Sequence, residues 1–311
     1  MVLKYNNKRI ALIGAQGMLA RMVIQHAPAD CELSLLDLPD FDLTDSRQVD
    51  ETISRLSPAV IINCAAFTNV DGCETQEKLA TKVNGDGVGF LACAANKSGA
   101  VLVHISTDYV FDGTKAVPYS EEDVPNPQSA YGRSKLAGEQ AILASGLEQY
   151  FIIRTSWLYG PGGKNFVETI LRLAQEREEL RVVADQIGTP TYTADLAQAI
   201  FNLLALDTPH PSCLTPIEGY GIYHFSNAGQ CSWHEFACAI VQKIVEDGGL
   251  VKVKSILPIT TEEYPLPATR PAYSVFDKSK YARATGALVP TWQESLQTYF
   301  ALRQSENQEK S

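Results

Sequence analysis

The sequence predicts an α/β fold: a doubly wound parallel sheet carrying a smaller α/β lobe. Three observations predict it. Short apolar runs alternate with stretches of good helix formers through the first half of the chain, the pattern of strand–helix–strand units. A glycine turn, Gly14 to Gly17, falls at the first of those crossovers. The 311 residues, 45% hydrophobic and 20% charged, suffice for two lobes that each bury a core, and their balance excludes a disordered or fibrous chain.

The elements follow in order. Ile10-Ala11-Leu12-Ile13 is a strand that stops at Gly14, and 18–26 is rich in helix formers. Strand 33–36, helix 46–56, strand 60–62, helical stretches within 74–96 and strand 101–105 continue the rhythm, then helix 131–143 and strand 151–154. Beyond Tyr159 the spacing loosens, and 160–163, 208–216 and 258–271, rich in Pro, Gly and Thr, read as loops. The expected division is 1–160, with 186–226 returning to it, as the first domain, and 161–185 with 227–311 as the smaller lobe. Trp233 and Trp292 read as core of that lobe, Glu121-Glu122-Asp123 as a solvated loop, and 304–311 as a frayed polar tail.

The net charge of -10 opposes nucleic acid and anionic membranes, both of which require a basic footprint. Seven cysteines (31, 64, 73, 93, 213, 231, 238) are odd in number and never spaced C-x-x-C, which reads as reduced thiols rather than disulfides or zinc. The histidines at 26, 104, 210, 224 and 234 show no ligand spacing and read as packing or surface residues. Met1 to Lys8 is polar, and no apolar run approaches the roughly 18 residues of a membrane span, so a cytoplasmic protein is expected.

Gly14-Ala15-Gln16-Gly17-Met18-Leu19-Ala20 has the spacing G-x-x-G-x-x-A between first strand and first helix. Gly14 permits the tight turn, Gly17 admits a pyrophosphate, and the helix N-terminus adds partial positive charge, as in Rossmann-type dinucleotide sites. Asp37 ends the second strand, where an acid binds the adenosine ribose hydroxyls. Leu38-Pro39 follow it rather than arginine, which leans toward NADH over NADPH, since a 2′-phosphate would meet like charge. Asp42-Leu43 and Cys64-Ala65-Ala66 are placed to contact adenine and ribose.

Tyr131 and Lys135, four apart on a helix, share a face, so Lys135 is expected to depress a phenol whose free pKa is about 10. Ser106 and Thr107 follow the apolar strand, and Thr107 is placed to hydrogen-bond a substrate oxygen. This constellation transfers a proton to a carbonyl while the cofactor supplies hydride.

Here the sequence resembles the dTDP-4-dehydrorhamnose reductase family of extended short-chain dehydrogenases. The resemblance rests on Ser106-Thr107-Asp108-Tyr109-Val110-Phe111-Asp112-Gly113, Tyr131-Gly132-Arg133-Ser134-Lys135, Arg154-Thr155-Ser156-Trp157-Leu158-Tyr159-Gly160, Asp185-Gln186-Ile187-Gly188-Thr189-Pro190-Thr191 and Pro267-Ala268-Thr269-Arg270-Pro271, spanning about Arg9 to Leu302. It implies NAD(P)H-dependent reduction of a nucleotide-linked 4-keto sugar, with catalytic Thr107, Tyr131 and Lys135. It further implies sugar contact by Trp157, nucleotide contact by Asn165, Gln186 and Arg270, and an Asp108 beside the substrate. Some family members bridge two subunits through magnesium held by glutamates; here those places carry Met22, Ala194 and Gln293, so no magnesium and a monomer or metal-free weak homodimer are expected. Dehydratases of this fold carry Asp-Glu after the threonine, whereas Thr107 is followed by Asp108 and Tyr109. A reductase or epimerase for another 4-keto sugar stays open. So does a non-catalytic regulatory subunit resembling the methionine adenosyltransferase β subunit.

Overall fold

The computed structural model describes residues 8–205 and 219–308, without the side chains of 306–308. Cys213, His210 and the stretch 208–216 lie outside the described residues, as do 1–7 and 309–311. The chain runs β1 (Arg9–Ile13), α1 (Met18–His26), β2 (Glu32–Leu36), α2 (Ser46–Leu56), β3 (Val60–Asn63), α3 (Val70–Thr75), α4 (Glu77–Thr81), a π-helical stretch at Lys82–Asp86, α5 (Gly87–Ser98) and β4 (Val101–Thr107). A single 3-10 turn (Asp108–Val110) precedes α6 (Ala130–Ala144) and β5 (Tyr150–Thr155). Then come β6 (Leu158–Tyr159), α7 (Phe166–Glu176), β7 (Glu179–Val183), β8 (Ile187–Gly188), β9 (Thr191–Tyr192), α8 (Thr193–Ala205), β10 (Gly221–His224), β11 (Cys231–Ser232), α9 (Trp233–Glu246), β12 (Ser255–Ile259), α10 (Ser279–Thr285) and α11 (Trp292–Gln308).

The main sheet has the order β10-β5-β4-β3-β1-β2, and every pairing in it is parallel. Its inner strands β1, β3, β4 and β5 carry buried apolar runs because both faces are covered there. Leu19, Met22 and Val23 of α1 pack with Leu196, Ile200 and Leu203 of α8 on one face; Val49, Ile53, Leu91 and Ala95 of α2 and α5 pack on the other. Burying each large aliphatic chain contributes roughly 1.5–3 kcal/mol. Since β1 continues to β2 on one side and has β3 on the other, the chain reverses direction there, and a crevice opens beyond the carboxyl ends of β1 and β3. A separate apolar cluster joins α7, α9 and α11 through Val167, Ile170, Phe236, Ile240, Leu296 and Tyr299. The parallel pair β7 and β12 flanks it.

Several elements differ from the sequence reading. Strand β4 runs two residues beyond 101–105, so Ser106 and Thr107 are themselves ladder residues opposite Arg154 and Thr155. The helical region before β4 begins at Val70 and includes the π stretch, where the buried Asn84 side chain bonds Phe67 N–H, Phe67 O and Ser134 Oγ. Pro258 lies in strand β12 opposite Val182, tolerated because a two-stranded ladder has a free edge. The expected frayed tail is helical to Gln308. The acidic stretch is structured: Glu121 accepts the His224 N–H (2.9 Å), and Asp123 binds Lys115 (2.7 Å) and the Ser120 N–H. Among the described residues, no helix is long and apolar enough to cross a membrane.

Candidate active site

Parallel strands deliver their carboxyl ends to one edge, and there the loops after β1, β2, β3 and β5 and the end of β4 line a cleft of about 820 Å³. Gly14, Gly17, Met18, Leu19, Asp37, Asp42, Leu43, Cys64, Ala65, Ala66, Thr107, Asp108, Tyr131, Lys135 and Trp157 all reach it.

One half has the chemistry of a dinucleotide cradle. Gly14 sits at φ +74°, and a Cβ there would come within 2.6 Å of the Ala65 backbone nitrogen, so the turn presses directly against the loop after β3. Gly17 caps α1 without a side-chain hydrogen bond, so no cap side chain occupies the first N–H groups of that helix at the cleft. Asp37 ties the turn to β2: its Oδ2 accepts the Gln16 N–H and its Oδ1 the Leu38 N–H, each at 2.8 Å. The Gln16 side chain donates to Leu38 O and is absent from the cleft lining. Asp42 accepts both the N–H and the hydroxyl of Thr44 at 2.8 Å, which lowers its carboxyl below the usual range. The half-buried Cys64 thiol is pushed up to about 12, mainly by desolvation, and stays protonated.

The other half holds the residues expected from the sequence to be catalytic, Thr107, Tyr131 and Lys135. Ser129 caps α6 through the Gly132 N–H (3.1 Å), and Gly132 is required because a Cβ there would run into the Tyr109 carbonyl. That close approach sets Tyr131 edge-on to Tyr109, ring centroids 5.4 Å apart. Burial holds the Tyr131 phenol above the ordinary tyrosine value; a hydrogen bond with Thr107 pulls it down and the Asp108 carboxylate pushes it up. The expected depression by Lys135 is absent. Lys135 is buried and donates instead to Ile105 O at 2.6 Å, with His104 Nε2 at 3.3 Å, and burial lowers it to about 8. His104, read from sequence as packing, therefore touches Lys135. Thr107 donates to Asp108 Oδ1 (3.1 Å), and burial raises the Asp108 carboxyl to about 6.

Three residues that the resemblance assigns to the nucleotide lie outside the cleft lining. Asn165 caps α7 through the Glu168 N–H and donates to Gly160 O (2.9 Å). Gln186 is buried and donates to Thr261 Oγ1 (3.0 Å). Arg270 forms a two-point ion pair with Asp71, Nη1–Oδ1 2.7 Å and Nη2–Oδ2 2.8 Å. Trp157 lies at φ +46° and stacks on Trp233 with centroids 3.5 Å apart, so Trp233 supports a cleft residue as well as packing in the lobe. Sequence reasoning missed Phe41, Thr44, Val83, Tyr109, Ser156 and Lys164, which also line the cleft. Tyr109 and Ser156 sit inside motifs that carry the resemblance, and Lys164 is a cation ending the glycine-rich 160–163 loop; Phe41, Thr44 and Val83 carried no signal. The places noted for magnesium carry a buried Met22, a half-buried Ala194 and an exposed Gln293.

A parallel sheet with a phosphate turn at its reversal point, and Thr107, Tyr131 and Lys135 on the same cleft, define a dinucleotide-dependent reductase of the short-chain dehydrogenase type. The sequence profile of the family described as RmlD substrate binding domain matches residues 8–305. The spore coat polysaccharide biosynthesis protein SpsK of Bacillus subtilis is 43% identical over 96% of this chain and 98% of its own length. A dTDP-4-dehydrorhamnose reductase of Sinorhizobium fredii is 42% identical over 92% and 95%. The crystal structure of dTDP-4-dehydrorhamnose reductase from Bacillus anthracis in complex with NADP superposes with a TM-score of 0.85 at 42% identity, covering 94% of this chain and 99% of that one. The chain belongs to the dTDP-4-dehydrorhamnose reductase family.

Proposed function

We propose that this chain reduces the C4 ketone of dTDP-4-dehydro-L-rhamnose to dTDP-L-rhamnose with NADPH or NADH. The observation that carries the reading is one cleft holding both the Gly14–Gly17 turn and the set Thr107, Tyr131 and Lys135. The bound nicotinamide supplies hydride to the carbonyl carbon. Thr107 orients the ketone oxygen. Tyr131 donates its phenolic proton to that oxygen, and its raised pKa keeps it protonated until the far more basic alkoxide develops. Lys135 supplies a second titratable group in the same cleft.

The substrate side is assigned to Trp157 and Asp108 at the cleft wall, with Asn165 and Gln186 supporting the surrounding loops. Arg270 reaches a nucleotide diphosphate by exchanging Asp71 for phosphate oxygens. The cluster around α7, α9 and α11 is the core of this substrate lobe. Asp37 favours NADH over NADPH, because its carboxylate is already held at the ribose end of the turn, whereas the Bacillus anthracis relative was crystallised with NADP. Met22, Ala194 and Gln293 offer magnesium no carboxylate, so a metal-free monomer or weak homodimer in the cytoplasm is proposed. A stoichiometric metal retained after dialysis would sink that part.

The test is loss of absorbance at 340 nm when the protein meets dTDP-4-dehydro-L-rhamnose, generated in place, with each coenzyme in parallel. Oxidation supports the reading and ranks the coenzymes. Cofactor binding without oxidation redirects it to another nucleotide-linked keto sugar, and then to a regulatory subunit.

A further inference from the structure

Behind α6 a line of buried polar groups runs from the loop after β3 to Lys135. The Ala65 N–H donates to Asn63 Oδ1 at 3.1 Å. A backbone N–H has only one polarity, so the Asn63 amide is oriented by it: oxygen toward Ala65, Nδ2 outward as a donor. That Nδ2 lies 3.1 Å from His104 Nδ1, which must therefore accept, and the neutral imidazole carries its proton on Nε2. Nε2 is the atom 3.3 Å from Lys135 Nζ. An ammonium offers three donors and no acceptor, so it would meet this N–H donor to donor; a neutral amine turns a lone pair to it and still donates to Ile105 O.

We infer that Asn63 and His104 are positioning residues which, by presenting an imidazole N–H to Nζ, hold the catalytic lysine poised to release its proton. The inference rests on the catalytic reading of Lys135 above. The groups facing Nζ agree with it. From α6 comes Glu139, from β4 His104, and from the loop after β3 Cys64. The Cys64 thiol is neutral, and the Glu139 carboxylate is committed to Arg154 at 2.6 Å. Burial and the neighbouring Lys135 hold His104 well below the ordinary histidine value, so it stays uncharged. Burial brings Lys135 to about 8, with Glu139 and Cys64 opposing. The lysine thus changes charge near neutral pH within the cleft that also holds Tyr131. The Ala65 N–H, at the dinucleotide end of the cleft, is thereby coupled to that charge.

The test reads Lys135 directly. The full chain, labelled with 15N-lysine, is titrated by NMR from pH 6 to 11, the Lys135 Nζ signal being identified as the one lost in Lys135→Arg. In His104→Phe the amine loses the donor that stabilised it, and the midpoint rises by about one pH unit. The high-pH limb of kcat/KM moves with it. A fall in the midpoint would mean that the imidazole was accepting from an ammonium, and either a fall or no change overturns the inference. Should His104→Phe not fold, Asn63→Leu, which removes the amide donor and frees the imidazole to accept from Nζ, is expected to raise the midpoint too; an unmoved midpoint there overturns the inference equally. Turnover of Lys135→Met separates the two readings: full activity removes Lys135 from catalysis, whereas an inactive variant with an unmoved His104→Phe midpoint sinks only the relay.

Discussion

Arg154→Met is the substitution whose cost the structure specifies best. The Arg154 guanidinium and Glu139 carboxylate are 2% and 1% exposed and meet at three points, Nε–Oε1 3.0 Å, Nε–Oε2 3.2 Å and Nη2–Oε2 2.6 Å. Ser106 Oγ donates to Oε1 at 2.5 Å, and Nη1 lies 3.4 Å from His224 Nε2. Burial holds His224 down to about 3, so it is neutral and accepts from Arg154. Methionine would leave the Glu139 charge buried with Ser106 as its main partner, which costs about 3–5 kcal/mol. Against a total stability of about 5–15 kcal/mol that is a large fraction. With a urea slope near 3 kcal/mol/M, the unfolding midpoint falls by roughly 1–1.7 M. Turnover falls with it, because Ser106 immediately precedes Thr107 in β4. The double variant Arg154→Met/Glu139→Met removes both charges and recovers most of the loss. A single-variant cost under about 1 kcal/mol, or a double variant no more stable than either single one, would refute the reasoning.

Three further outcomes are expected. Tyr131→Phe keeps its coenzyme affinity but loses about 10²–10⁴-fold in kcat, since only the proton donor is removed; unchanged kcat would assign the acid elsewhere. Gly14→Ala strains a residue at φ +74° and drives a Cβ against Ala65 N, so the coenzyme Kd, followed by fluorescence titration, rises about tenfold or more; an unchanged Kd removes the turn from binding. Lys135, lowered by burial to about 8, is protonated below that pH and neutral above it, so kcat/KM declines as pH rises through about 8. A profile flat to pH 10 would exclude the lysine from the rate-determining protonation.

By itself the sequence determined what depends on neighbours along the chain. Helix α1 at Met18–His26 and α2 at Ser46–Leu56 match the expected spans, because apolar periodicity and capping are local. The Gly14–Gly17 turn and the Tyr131/Lys135 face were legible for the same reason: one is a spacing within a turn, the other a spacing within a helix. The charge states of the site belonged to the tertiary structure. Lys135 meets His104 from 31 residues away, and Arg270 is held by Asp71 from 199 residues away, contacts that no local pattern encodes. Stacking of Trp157 on Trp233 likewise needed two segments brought together by the second core. Burial decides which of these groups are charged, because desolvation penalises the ionised form wherever the chain packs around it, and packing is settled only when distant segments meet.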